Sequence, residues 1–329
     1  MPLDERPEFP TARLLDRARL ELAGRLSLDP GTLEWRVGER MDRKRSTVFR
    51  LTLADGSGPI ATAYYKASYF TAERQGSRNL ERAKAAILSS EARGEQFAKA
   101  AMGSGISINE TLALNPETSE VVTLGLEGRP FGIPLSHSFT RGRREEALVT
   151  CRRVGRAVRL IEGLPAPEPG PAVERIWQET ERKLDAVRPL LPEADLRDLK
   201  QSLGALFETA TSDQGGVTLA HGDLSPDNLI MMKDGTGLID FMWIPQVRGF
   251  DLSRFVHRLR YTTPSSNRWS QSLTDAVLEG YGDPTAPSQP GWRFSEMQSL
   301  LGTIQHLERK GEGARRAAGR ALAEIRAGL

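Results

Sequence analysis

HGDLSPDNLI, His221 to Ile230, followed by MMKDGTGLIDF, Met231 to Phe241, is the stretch whose reading decides the fold of this chain. One of only four histidines stands here with Asp223, Asp227 and Asn228, directly ahead of an apolar run. Two apolar runs joined by a loop containing Asp-Gly predict a β-hairpin. With the turn centred on Gly235 and Thr236, Asp240 lies opposite about Met231. Asn228 then falls at the open end of the first strand, and Asp240 near the end of the returning one. A strand rises about 3.4 Å per residue and its neighbour lies about 5 Å away, so these two residues come within about 10 Å. Asp223 sits on the loop feeding the first strand. Two carboxylates and an amide oxygen gathered at one edge suit a hard cation such as Mg²⁺, which takes oxygen ligands and keeps several waters. The structural alternative is that Asp and Asn cap turns here, as they often do. For any one of them alone that is the simpler reading; it weakens because they occur together.

Composition bounds what such a site serves. The chain has 329 residues, enough for two lobes or one large domain. With 39% hydrophobic and 27% charged residues it is ordinary for a globular protein. A net charge of +2 gives no strong field and no reason to expect nucleic acid. One cysteine, Cys151, excludes a disulfide framework and a Cys-based zinc site, and a reducing compartment fits. The N-terminus MPLDERPEFP has no apolar core of a secretory signal, and no run of 18 apolar residues is present. The expectation is a cytoplasmic protein without a membrane span.

Outward from the hairpin, hydrophobic periodicity divides the chain. Leu14, Leu15, Ala18, Leu22 and Leu26 recur at helical spacing over residues 12–27. TLEWRVGERM, STVFRLTLA and IATAYYKASY, separated by turn-like DRKR and DGSGP, read as an antiparallel meander. A helical composition runs from about Ala72 to Met102, and EVVTLGL, 120–126, reads as a further strand. EGRPFG is the expected link between lobes. Beyond it, helices are predicted over 143–163, 173–190 and 194–211, and after the hairpin near 251–261, 268–281, 294–308 and 312–328. LPAPEPGPA reads as a Pro-rich break.

HGDLSPDNLI followed by LIDF resembles the catalytic core of the aminoglycoside phosphotransferase and choline kinase-like family of small-molecule kinases. The likeness is specific at 221–241 and looser from about residue 32 onward. It implies an α+β, bilobal, protein-kinase-like fold. Residues 1–128 would form the N-terminal helix and nucleotide-binding lobe, and residues 129–329 a helical lobe with the catalytic loop and acceptor site. It implies ATP and Mg²⁺ as cofactors. By resemblance, Asp223 is the catalytic aspartate that orients and deprotonates the acceptor hydroxyl, and Asn228 and Asp240 are the metal ligands. His221 buttresses the loop, and Asp251 in GFDLSRF holds it by hydrogen bonds. Phosphoryl transfer asks for positioning and for positive charge on the phosphate oxygens, which a tight loop opening onto a strand pair can supply.

The same resemblance makes Lys66, on the third strand, the lysine that contacts the α- and β-phosphates; otherwise it is one exposed strand lysine among 45 Lys and Arg residues. Its partner is Glu91 or Glu95, one helical turn apart. SEARGEQF favours Glu91, while the spacing to GSGIS favours Glu95. Glu73 and Glu81 read as solvated. Where a phosphate-covering loop belongs, RMDRKRSTVFRL has no glycine, and there is no P-loop motif anywhere. Ser46 and Thr47 are candidate donors to the β-phosphate. Arg43, Lys44 and Arg45 are either additional charge there or a solvated hairpin tip. The backbone from Leu124 through Leu126 to Glu127 is the expected hinge that reads the purine edge.

A kinase-like binding module without turnover is the alternative, supported by the glycine-poor loop and opposed by the intact set Lys66, Asp223, Asn228 and Asp240. A protein kinase is disfavoured by HGD in place of HRD and by only ten residues between Asp240 and Asp251. Trp243, Tyr261, Trp269, Tyr281 and Trp292 pack a core or build an aromatic box for a quaternary ammonium, with packing the simpler reading. After Asp251, Arg254, Arg258, Arg260, Arg268 and Arg293 outnumber Asp275, Glu279 and Asp283 before residue 296. That balance points to a neutral or anionic hydroxyl compound as partner.

Overall fold

A computed structural model describes residues 9–42, 46–68, 77–132, 141–166, 169–212, 216–261, 267–308 and 323. Arg43 to Arg45, Glu73 and the helix expected at 312–328 lie outside the described residues, as do the side chains of Glu81 and Tyr261. The chain divides into two compact units, Met1–Lys99 with Ser107–Gly128, and Ala100–Ile106 with Arg129–Leu329.

The first unit opens with α1 (Ala12–Leu26), then β1 (Glu34–Asp42), β2 (Ser46–Asp55), β3 (Gly58–Ser68), α2 (Ser77–Ala100), β5 (Thr111–Asn115) and β6 (Glu120–Leu124). The strands form one sheet in the order β1-β2-β3-β6-β5. β1, β2 and β3 are the expected meander, antiparallel throughout. Alternation works as a period of two demands: Phe49, Leu51 and Leu53 on β2 and Ala63, Tyr65 and Ala67 on β3 enter the core. Leu14, Ala18 and Leu22, four residues apart, close that core from α1. Thr62, Tyr64 and Lys66 therefore face away from it. β5 is a strand the sequence pattern did not reveal.

The second unit carries β7 (Arg129–Pro130), α3 (Arg141–Glu162), α4 (Pro169–Val187), α5 (Glu193–Ser212), β8 (Val217–Ala220), β9 (Leu229–Met231), β10 (Thr236–Leu238), β11 (Ile244–Val247), α6 (Phe250–Tyr261), α7 (Asn267–Tyr281) and α8 (Pro290–Glu308). Leu199, Leu203 and Phe207 of α5 pack with Phe294, Leu301 and Ile304 of α8, and with Ile176 and Leu184 of α4. Two helices begin at prolines inside stretches read as breaks or flanks. Proline lacks only an N–H that the first helical turn leaves unbonded anyway. No described helix is long and apolar enough to cross a membrane.

The hairpin is present, but its register corrects the sequence reading. Thr236 pairs with Met231 and Leu238 with Leu229, and Met232 N–H donates to Gly235 O. The turn therefore centres between Lys233 and Asp234, which are exposed, while Gly235 and Thr236 are buried. A strand unseen in the sequence, β4 (Ile106–Ile108), borders β10, and Thr236 N–H donates to Gly105 O at 2.9 Å. That third strand draws Gly235 and Thr236 into the sheet and leaves the turn to the two polar residues. Ile239 N–H consequently bonds Asn228 O at 3.1 Å, and Asp240 emerges beside Asn228 rather than opposite Met231. Nor is the hairpin alone: it lies in a four-stranded sheet, β4-β10-β9-β7, and β8 pairs with β11.

Candidate active site

β8, buried along its whole length, delivers the chain into the loop from His221 to Asn228. Gly222 turns that loop with φ +87°, and a Cβ there would lie 2.8 Å from Ile244 Cγ1. Only glycine meets both demands. Below the loop, Asp251 is buried in the first turn of α6. Its carboxylate accepts the N–H of His221 and, at 3.1 Å, that of Gly222. Burial pushes the Asp251 carboxyl up to about 7, opposed by those two donors and by Arg254.

His221 is fully buried. Its Nδ1 accepts Asp223 N–H at 3.3 Å, so the ring proton is assigned to Nε2, which donates to Ile239 O at 3.0 Å. Burial lowers its pKa to about 4, and the neutral imidazole ties the loop to the returning strand. Phe241 lies over its ring at 4.2 Å, and Trp243 stacks on Phe241 at 4.4 Å.

Asp223 is held half-exposed from both sides. Arg254 Nη2 donates to Oδ1 at 2.7 Å. Asn228 Nδ2 donates to the Asp223 carbonyl at 2.8 Å and lies 3.3 Å from Oδ2. Asn228 closes the short helical turn Pro226–Asn228. With its amide nitrogen spent, Oδ1 is the atom left for a ligand. Asp240 is exposed at φ +60°, a conformation that Asp tolerates better than most residues. One oxygen from Asn228 and a carboxylate from Asp240 make an open donor set. Among the described residues no cluster of three or more His, Cys, Asp or Glu is placed to cage a metal. Two protein oxygens fit Mg²⁺, which keeps waters and takes phosphate oxygens for the remainder.

Two residues of this region escaped the sequence reading as site components. Arg254 follows Asp251 by three residues, a spacing that puts both on one side of the helix; the sequence reading counts it only among the arginines that set the charge balance after Asp251. Glu162 ends α3, far away in sequence. Its carboxylate accepts Gly249 N–H at 2.7 Å and Tyr281 OH at 2.6 Å, fixing the chain just before Asp251. Burial raises its pKa. Trp243, Tyr281 and Trp292 are buried, so an open aromatic box from these three is not what the fold builds.

The remaining candidates lie in the first unit. Lys66 is partly buried on β3, between Val48 of β2 and Val121 of β6. On α2, Glu91 is partly buried and Glu95 exposed; burial, then the charge of Glu95, raises the pKa of Glu91. Ser46 and Thr47 are buried, and Thr47 Oγ1 donates to Asp42 Oδ1 at 2.5 Å. Leu124 N–H donates to Glu110 O at 2.7 Å and Gly125 N–H to Thr62 O at 2.8 Å. Leu126 and Glu127 follow beyond the end of β6.

Residues 126–289 match the model of the phosphotransferase enzyme family. No curated protein matches the chain by sequence. Among solved structures, a choline/ethanolamine kinase family protein from Mesorhizobium loti is similar at a TM-score of 0.52 and 16% identity, covering 95% of this chain and 94% of that one. The ADP-bound aminoglycoside phosphotransferase APH(2'')-Ib is similar at 0.52 and 11%, covering 94% and 95%. Aminoglycoside phosphotransferase APH(3'')-Id from Streptomyces rimosus is similar at 0.50 and 19%, covering 85% and 98%. The α+β fold is the one these structures share.

Proposed function

We propose, from the match of residues 126–289 to the phosphotransferase enzyme family, that this chain moves the γ-phosphate of ATP, with Mg²⁺, to a hydroxyl of a small molecule. The observation that carries the proposal is the half-exposed Asp223 carboxylate, braced from Arg254 and Asn228 on a loop that His221 and Asp251 anchor from below. In the reaction the acceptor oxygen bonds to the γ-phosphorus and the bond to the β–γ bridging oxygen breaks. ADP leaves, and the hydroxyl proton passes to Asp223. A base already oriented accounts for a large part of the rate in such a step, because little covalent chemistry is asked of the protein. Asp240 and Asn228 Oδ1 are the residues that would hold Mg²⁺, which when bound neutralises triphosphate charge.

For the nucleotide, Lys66 is assigned to the phosphates. Glu91 is the better partner for it, since burial gives its charge more effect than that of exposed Glu95. Leu126 rather than Leu124 is assigned to the purine, because the Leu124 N–H is already spent inside the sheet. Ser46 and Thr47 are better suited to holding the β1–β2 hairpin than to donating to phosphate, given their burial and the bond to Asp42.

The test is ADP release with Mg·ATP over a panel of hydroxyl compounds, beside calorimetric ATP titration with and without Mg²⁺. Turnover in the parent, lost in Asp223→Asn while Mg·ATP still binds, is the expected result. Asp240→Ala is expected to lose the Mg²⁺-dependent part of ATP binding. Unchanged Mg·ATP binding in Asp240→Ala removes it from the metal site.

A further inference from the structure

α6 is an interior helix. Leu252, Phe255, Val256 and Leu259 are buried, and between Asp251 and Leu259 the residues not buried are Arg254 and Arg258. They stand four apart and share one face. That face looks onto the loop of Asp223. Arg254 reaches Oδ1, and α6 packs against the Pro226–Asn228 turn. Arg254 is not fully satisfied there, because its Nε is buried without a hydrogen-bond partner. A buried donor of this kind is costly unless something arrives to accept from it.

Lys183 of α4 adds a third cation. Burial pushes its ammonium down to about 8, Glu179 opposing and Arg254 reinforcing, so Lys183 lies within electrostatic reach of Arg254. Glu179 is itself paired with Arg182. Arg258 is depressed by burial and by Arg254, with Asp223 and Asp227 opposing. Among the described residues, Asp223 is thus bonded by Arg254 and acts with Asp227 on Arg258, while burial disfavours the charge of both Arg258 and Lys183. The two sides of Asp223 also differ: Arg254 approaches Oδ1, while Asn228, next to Asp240, approaches Oδ2. Arg254 thus stands on the Oδ1 side of the carboxylate and Asn228 on the other.

We propose that Arg258, Lys183 and the unpartnered donor of Arg254 form an anion subsite of the acceptor site, and that the acceptor is a hydroxyl compound carrying a carboxylate or phosphate group. The proposal rests on Asp223 receiving the acceptor hydroxyl. An anion seated among these cations would relieve their mutual repulsion and hold the neighbouring hydroxyl against the base.

The experiment compares D-glucose, D-glucosamine, D-gluconate and D-glucose 6-phosphate on the full chain. It scores ADP release with Mg·ATP and thermal stabilisation at millimolar acceptor, with Mg·ATP binding measured separately. Gluconate or glucose 6-phosphate is expected to stabilise the protein and to be turned over with the highest kcat/KM. Charge-assisted hydrogen bonds are the strong ones, so Arg258→Met and Lys183→Met should each raise the KM for the anionic acceptors about tenfold while kcat changes less, with Arg258→Lys recovering part of the loss. Equal or better use of glucose or glucosamine overturns the proposal. So does a loss of Mg·ATP affinity in these variants at unchanged acceptor KM, which would assign these cations to the nucleotide. If Mg·ATP binds and neither anionic sugar stabilises or reacts, the subsite is wrong and the phosphotransferase reading stands. If Mg·ATP fails to bind, that reading fails and takes the subsite with it.

Discussion

The sheet of the first unit and the loop at His221 hold their chemistry-bearing residues by opposite means. Lys66 occupies a regular strand, where alternation alone turns it away from the core that Ala63, Tyr65 and Ala67 enter. Asp223 and Asp240 occupy irregular backbone: a glycine at φ +87°, an aspartate at φ +60°, and a short turn at Pro226–Asn228. Regular structure places a side chain through repetition. The loop places its side chains through individual hydrogen bonds from Asp251, His221, Arg254 and Asn228. A strand should therefore lose little when one neighbour changes, and the loop should lose much.

The largest test of that contrast is catalytic. Asp223→Asn should lower turnover by roughly two to four orders of magnitude, the usual contribution of a positioned base, with an unchanged melting profile. Turnover near that of the parent would break the comparison at once. Next comes the loop's support. Gly222→Ala meets both the positive φ and the approach to Ile244, and should cost on the order of 1–3 kcal/mol by denaturant titration. Asp251→Ala strands two backbone donors at about 1–3 kcal/mol each. Thr62→Ala on β3, the same test applied to the regular strand, should stay within about 0.5–1 kcal/mol. A loss at Thr62 equal to that at Asp251 would remove the distinction.

The pH dependence is smaller and more specific. His221 has a folded pKa of about 4, below its unfolded value, so the unfolded chain takes up more protons as pH falls. The stability tied to neutral His221 is complete above about pH 6.5 and is lost toward pH 4, by up to about 3 kcal/mol at about 1.4 kcal/mol per unit. Asp251, raised to about 7, acts in the opposite sense over much of this range. The reading is therefore the difference between the parent and His221→Gln: the variant should lack this component of the acid loss. The smallest effect separates two neighbours on α2. Glu91→Gln should raise the KM for ATP several-fold and Glu95→Gln should leave it alone, because exposed ion pairs contribute little.

Much of the first unit was legible because its signals are local. β1 to β3 and α1 follow from periodicities of two and of about 3.6, and the burial of alternate residues obeys them. Five strands were missed, β4, β5, β7, β8 and β11, none longer than five residues. β4 and β7 have three and two residues, too few to show alternation, and they exist because β9 and β10 offer paired edges to them. Missing β4 led directly to the misplaced turn, since the Asp-Gly signal was weighed without the strand that captures Thr236. In the site, His221, Asp223, Asn228 and Asp240 stood out by their spacing. Arg254 and Glu162 did not, since nothing near them in the chain marks a partner 31 or 87 residues away.

By itself, the sequence determined the longer strands and most helices, and which tight group of polar residues belongs to one loop. Those properties depend on neighbours within a few positions, where backbone geometry dictates which side chains can meet. Only the tertiary structure decided which oxygen of Asp223 faces an arginine and that Asp240 emerges beside Asn228. It also decided that His221 is neutral and that Arg254 braces the aspartate from α6. Each of these depends on burial and on contacts between elements distant in the chain, because desolvation and charge act through space and not along the backbone.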